Sequence, residues 1–178
     1  GNLEEIVSGL HLPYGIKIDH INKKIYWTDY NTNKIQRSNL NGDNIEDLVI
    51  QENANDFYGL TIDIENEKIY WSDGNSEYHR IQSSNLDGSN VQTIISSLSG
   101  PYGIEIDSEN EKLYWTDPNN NSIGKSNLDG SDPQYFDISP YKAYDLAISN
   151  NLNKIFFTDP DNSGIYKCNI DGSNIENV

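Results

Sequence analysis

Apolar and polar residues alternate with a period of two along most of this chain. Ile104 and Ile106 share one face, with Glu105 and Asp107 opposite; Leu113 and Trp115 oppose Tyr114 and Thr116. Ile123, Lys125 and Asn127 oppose Gly124, Ser126 and Leu128. Alternation sustained over about four to eight residues predicts strands rather than helices. The runs are punctuated by Asn41-Gly42, Asp87-Gly88, Asp129-Gly130 and Asp171-Gly172. Such dipeptides suit type I′ hairpin turns, which need positive φ at both central residues. Other connections, such as Ser108-Glu109-Asn110-Glu111, are short and polar, as hairpin loops are.

The pattern repeats. Tyr26-Trp27-Thr28-Asp29 recurs as Tyr70-Trp71-Ser72-Asp73 and Tyr114-Trp115-Thr116-Asp117, with a weaker copy, Phe156-Phe157-Thr158-Asp159; the spacings are 44, 44 and 42 residues. Each copy follows an apolar-acidic pair at a fixed interval: Ile18-Asp19, Ile62-Asp63, Ile106-Asp107 and the altered Ile148-Ser149. Each unit holds about four short strands, and a unit of about 40–50 residues with four strands is a β-propeller blade. The expected fold is therefore all-β. Blades are placed at about 14–50, 58–95, 102–138 and 144–178 of a single propeller segment, 1–178. Residues 3–7 align with Val91–Ile95 and are expected to be an outer strand of a preceding blade. An initial Gly and the absence of Met point to a piece of a longer or processed chain.

The units Pro-Tyr-Gly-Ile-x-Ile-Asp, Lys-Leu-Tyr-Trp-Thr-Asp and Ser-Asn-Leu-Asp-Gly-Ser resemble the YWTD repeat, also called the low-density-lipoprotein receptor class B repeat. The resemblance covers essentially the whole chain and rests on three motifs in register. It implies a six-bladed β-propeller of which four four-stranded antiparallel blades are present here. It also implies a non-catalytic, receptor-like binding scaffold, extracellular or at the cell surface. The fourth unit departs from the pattern, having lost Tyr, Trp and the Ile-Asp aspartate.

Charge narrows the partners. Twelve Lys and Arg face 28 Asp and Glu, for a net charge of −16. That balance argues against nucleic acid, which is gripped by clustered cations, and against an anionic membrane surface. It biases a protein or peptide ligand toward a basic one. No apolar run is long enough to span a bilayer, and no signal peptide opens the segment. With 12 Tyr, 3 Trp and 4 Phe the chain is too aromatic for a solvated tail. The lone Cys168 excludes an internal disulfide and stands where Ser38, Ser84 and Ser126 stand in the other units, as a small core residue.

No catalytic constellation is evident. His11, His20 and His79 fall in three different connections. Asp159-Pro160-Asp161-Asn162-Ser163-Gly164 imitates a calcium loop, but its twelfth position is Ile170 where a bidentate Glu is needed. No metal or cofactor is therefore expected. Tyr26, Trp27, Tyr70, Trp71, Tyr114 and Trp115 read as core between blades, and Asp29, Asp73, Asp117 and Asp159 as strand-end turn holders. Asn120-Asn121-Ser122 is a glycosylation sequon, usable on a secreted chain.

Candidate ligand contacts lie on the face carrying the 4–1 and 2–3 loops. They are Tyr14, Tyr58, Tyr102 and Tyr144 at the inner-strand starts, then Tyr30, and Tyr78, His79 and Arg80 in the longest 2–3 loop, that of blade two. Tyr offers rigid area with one polar handle, which suits interfaces. The alternatives are a metal-dependent lactonase-like propeller enzyme, or a spacer with no ligand of its own.

Overall fold

A computed structural model describes residues 3–51, 56–75 and 77–178. Blade one is built from β1 (Pro13–Asp19), β2 (Lys24–Asp29), β3 (Lys34–Asn39) and β4 (Glu46–Ile50). Blade two holds β5 (Phe57–Asp63), β6 (Lys68–Asp73), β7 (Arg80–Asn85) and β8 (Gln92–Ile95). Blade three holds β9 (Ile104–Asp107), β10 (Lys112–Asp117), β11 (Ser122–Asn127) and β12 (Gln134–Asp137). Blade four holds β13 (Asp145–Ser149), β14 (Lys154–Asp159), β15 (Gly164–Asn169) and a two-residue β16 (Glu176–Asn177). Each blade is an antiparallel meander paired in sequence order. Their inner strands β1, β5, β9 and β13 pack in succession in a propeller arrangement.

The core lies between blades. The first two blades share Tyr26, Ile35 and Val49 with Phe57, Leu60, Ile69 and Trp71. Tyr70, Ile81 and Ile95 meet Ile104, Leu113 and Trp115 across the next joint. Tyr114, Ile123 and Ile138 meet Leu146, Ile155, Phe157 and Cys168 across the third. Tyr of each motif therefore faces the following blade and Trp the preceding one, because neighbours on a strand point to opposite faces. The weaker fourth motif is compensated locally. Phe157 stands for Trp, and its cross-strand partner is Tyr166, whose ring stacks on it at 5.7 Å. At the same pair in blade three, Trp115 faces Gly124, where a Cβ would lie 2.1 Å from the indole.

One expectation is corrected. The Asn-Gly and Asp-Gly turns are not type I′: φ is positive at Gly42, Gly88, Gly130 and Gly172, while the residue before each keeps a negative φ. The connection is wider than two residues. Gly42 N–H donates to the Asn39 carbonyl, and a second left-handed residue, Asn44, follows before β4. A six-residue connection does not need the two left-handed residues in a row that a two-residue loop requires.

The segment 3–7, expected as an outer strand of a preceding blade, belongs to none of the four sheets, which are those of the blades that follow. Its placement is still regular. A Cβ on Gly88 would lie 2.0 Å from the Leu48 carbonyl oxygen, and one on Gly130 2.2 Å from that of Ile94. At Gly42 the corresponding atom is the Ile6 carbonyl oxygen, at 2.0 Å. Ile6 thus occupies the place that an outer-strand residue takes against the other turns.

Candidate functional site

The inner strands converge at their loop-face ends, so the tyrosines that open them meet. Tyr58 stacks on Tyr102 with centroids 4.0 Å apart and rings 20° from parallel. Tyr14 meets Tyr58 edge-on at 5.2 Å, and Tyr144 meets Tyr102 edge-on at 5.1 Å. Tyr30, from the 2–3 loop of blade one, tilts against Tyr58 at 5.3 Å. The Tyr30 hydroxyl hydrogen-bonds the Asp56 carboxylate, and that of Tyr58 bonds Tyr30 and Tyr102. Burial first, then these bonds to Tyr102 and Tyr30, push the Tyr58 hydroxyl far above its ordinary value. Burial, with Tyr102, Asp145 and Tyr144 nearby, also raises Tyr14. The phenols of Tyr14, Tyr30 and Tyr58 therefore stay neutral at physiological pH. Tyr14 remains 53% exposed, so the cluster presents aromatic area as well as hydroxyls to solvent.

Beneath the cluster a channel of about 330 Å³ runs between the inner strands, lined in part by Tyr14, Lys17, Gly59, Gly103, Glu105 and Asp145. Lys17 of blade one reaches across it to Glu105 of blade three, with Nζ 2.5 Å from the carboxylate. Neither residue stood out in the sequence. A period-two inner strand does place every second side chain on the axis, and that signal was available.

Tyr78, His79 and Arg80 form a different group. Arg80 Nε donates to Asp73 Oδ2 at 2.8 Å and Nη2 to Gln51 Oε1 at 3.0 Å. Its guanidinium lies 4.9 Å from the Tyr78 ring centroid. Arg80 is thus already held, whereas Tyr78 is 43% exposed. Among the described residues no ring contact or ion pair links these three to the five tyrosines. Gly74, at the start of the same loop, touches the Tyr58 ring. Ser76 of this loop lies outside the described residues.

The four strand-end aspartates act on the loop face as backbone holders, but not identically. Asp29 Oδ2 accepts His11 N–H at 2.7 Å, Asp117 Oδ2 accepts Ser99 N–H at 2.9 Å, and Asp159 Oδ2 accepts Lys142 N–H at 3.0 Å. Each thereby pins the 4–1 loop leading into its own inner strand. Asp73 instead takes Asn75 N–H and the Arg80 guanidinium. Burial raises the carboxyls of Asp73 and Asp117 above the ordinary value, despite the hydrogen bonds that pull the other way. On the opposite face Asp19, Asp63 and Asp107 staple the 1–2 turns through Asn22, Asn66 and Asn110. Among the described residues no three His, Cys, Asp or Glu side chains gather as metal ligands would.

One recurring contact went unread in the sequence. The hydroxyl third in the first three motifs bridges to the next blade: Thr28 Oγ1 donates to the Tyr58 carbonyl at 2.6 Å, Ser72 Oγ to that of Tyr102, and Thr116 Oγ1 to that of Tyr144 at 3.1 Å. The same oxygens accept Gly15, Gly59 and Gly103 N–H in their own blades. A hydroxyl both donates and accepts, which explains why this position is Thr or Ser.

The family model described as low-density lipoprotein receptor repeat class B matches residues 23–64 and 67–107. These are YWTD repeats of the low-density lipoprotein receptor class. Each match runs from the second strand of one blade to the first strand of the next, so the sequence repeat is offset from the blade. Low-density lipoprotein receptor-related protein 5 of Mus musculus is 45% identical over 47 residues, 26% of this chain and 3% of that protein. Among solved structures, the nidogen/laminin complex contains a chain that superposes with a TM-score of 0.85 at 23% identity, over 94% of this chain and 64% of that one. Virginiamycin B lyase from Staphylococcus aureus gives 0.73 at 23% identity, over 93% and 54%. At such identities the superpositions establish the fold alone, and the chain spans less than two thirds of each of these relatives. Among the described residues the loop face offers tyrosine hydroxyls, aromatic edges and carboxylates.

Proposed function

We propose that this YWTD propeller is a non-catalytic binding module, extracellular or at a cell surface, that engages a protein or peptide through its loop face. The observation that carries the reading is the cluster of Tyr14, Tyr30, Tyr58, Tyr102 and Tyr144, half-open to solvent and ringed by Asp56 and Asp145. Rigid aromatics beside carboxylates suit a basic segment, and the charge of −16 favours its approach. Support comes from the nidogen relative, which is described in complex with laminin. The remaining blades of a larger ring, or neighbouring modules, belong to this reading as further partners. Among the described residues no helix is long and apolar enough to cross a membrane.

The test is capture of a panel of basic peptides on the immobilised chain. Tyr14→Ala is expected to weaken capture about tenfold or more, as loss of an interface anchor does, and added salt is expected to weaken it further. Capture that ignores Tyr14→Ala, or strengthens with salt, overturns the proposal. A lactonase-like enzyme is the second reading, drawn from the fold of virginiamycin B lyase. Calorimetric titration with calcium separates the two, because stoichiometric binding belongs to the metal-dependent enzyme.

A further inference from the structure

On the face of the 1–2 turns, opposite the tyrosine cluster, a groove follows each of the first two joints between blades. The groove between blades one and two measures about 650 Å³, and that between blades two and three about 660 Å³. Their walls correspond position by position. Lys24, Tyr26, Glu67, Leu86 and Asp87 of the first answer to Lys68, Tyr70, Glu111, Leu128 and Asp129 of the second. Every residue lining the first groove has a counterpart of the same type in the second, with one exception: Arg37 is replaced by Ser83.

Arg37 ties its groove together. Its Nη1 donates to the Leu86 carbonyl of blade two at 2.9 Å, and its Nη2 to Glu46 Oε2 at 2.7 Å. It also bonds the Tyr26 hydroxyl. Across the joint, bonds from Ser89 and then the Arg37 charge hold the Asp87 carboxyl below its ordinary value. The third joint has a cation at the same strand position. Lys125 Nζ lies 5.4 Å from the Tyr114 ring centroid, and after the Ser173 bonds its charge helps to hold Asp171 down. The joint between blades two and three has no cation there. Ser83 is too short to cross it, and its partner on the outer strand is Gln92, where Arg37 faces Glu46.

What such a cation would touch is nevertheless in place. Tyr70 is only 4% exposed and lines the groove. Among the described residues no hydrogen bond reaches its hydroxyl or the Leu128 carbonyl. Burial, then the charges of Asp63 and Asp129, push that hydroxyl up to about 12, which keeps it a neutral phenol in a negative field. Glu111 and Asp129 border the same space. Lys68 and Lys112 border it too, but they donate to Asn85 and Asn127, as Lys24 donates to Asn39 beside Arg37. Lysines held in this way leave room for a guanidinium in the first groove, and the same arrangement recurs in the second.

We propose that the groove between blades two and three receives an arginine side chain from a partner protein, in the place that Arg37 takes between blades one and two. Arginine fits better than lysine because the acceptors are spread around the space: the Leu128 carbonyl, the Gln92 side-chain oxygen, the Tyr70 hydroxyl and the Asp129 carboxylate. A planar fork with five donors serves several of these at once, and a single ammonium does not. The net charge of −16 favours the approach of such a partner. The site lies away from the loop face and does not depend on it.

Nuclear magnetic resonance titration of the labelled 178-residue chain with N-acetyl-arginine amide, an arginine in peptide linkage, tests this. Saturable shifts are expected at Tyr70, Ser83 and Leu128, and none with the citrulline analogue, which keeps the shape without the charge. Ser83→Arg supplies the guanidinium from within and is expected to abolish the response. Asp129→Asn keeps an oxygen for Ser131 N–H. It is expected to weaken binding about threefold, the usual size of an exposed charge contact. The absence of saturable shifts in wild type overturns the proposal. So do equal shifts with citrulline, shifts that persist in a folded Ser83→Arg chain, or an Asp129→Asn chain that binds as tightly as wild type. Shifts confined to Tyr58 and Tyr102 would belong to the loop-face reading and would overturn this one alone.

Discussion

Single residues here do more than one task, and the aspartate that ends each second strand is an example. Asp117 has no exposed surface, and burial holds its carboxyl above the ordinary value of 3.8 even though Ser99 and Asn120 N–H groups bond it. The folded chain therefore keeps this proton to a higher pH than the unfolded chain does. The contribution of Asp117 to stability is greatest below the unfolded value and declines as pH rises through the raised folded one. Asp117→Asn, which retains an oxygen for Ser99 N–H, is expected to flatten that decline. Thermal melts from about pH 4 to about pH 7 would show it. A variant whose melting temperature falls with pH as steeply as wild type would contradict the assignment. Cys168 follows the same rule: burial pushes its thiol up to about 11, so it is packing rather than a reactive thiolate.

At the scale of elements, strands and their order were legible because period-two alternation and the motif spacing are local signals. The Tyr-Trp pair announced that both faces of each sheet are covered, and the structure puts Tyr26 and Trp71 in one core cluster. Turn type was not legible. Asp-Gly reports only that a left-handed residue is near, and the left-handed φ falls on Gly88 and then Asn90, not on Asp87. The reason for the glycine is also non-local, since the neighbouring outer strand crowds it. Gly88→Ala meets both a φ of +81° and the Leu48 carbonyl 2.0 Å from the new Cβ. The expected cost is about 2–4 kcal/mol, from left-handed strain plus overpacking. Urea unfolding would read this as a lower midpoint, and an unchanged midpoint would contradict the crowding argument. The candidate site was legible in part for a similar reason. Repetition placed Tyr14, Tyr58, Tyr102 and Tyr144 at equivalent strand starts; alternation places Lys17 and Glu105 on one side of their strands, but their pairing crosses between blades one and three and is not local.

For the whole molecule, the placing of the core between blades makes position in the arc matter. Trp71 and Trp115 are sandwiched and fully buried. Trp27, in the same motif, borders the groove on the leading face of blade one. Trp71→Ala is expected to cost about 3–5 kcal/mol, the range for a buried aromatic, and Trp27→Ala distinctly less, because its cavity opens toward solvent. Chemical denaturation of the two variants would measure the difference. Equal losses would mean that the leading face is covered in solution.

The ion pair on the axis has one more consequence. Lys17 and Glu105 meet across the channel below the tyrosine cluster, and both are half-buried. The channel is therefore crossed by a charged pair directly beneath the aromatic cluster, and a side chain entering among the rings would meet charge below them.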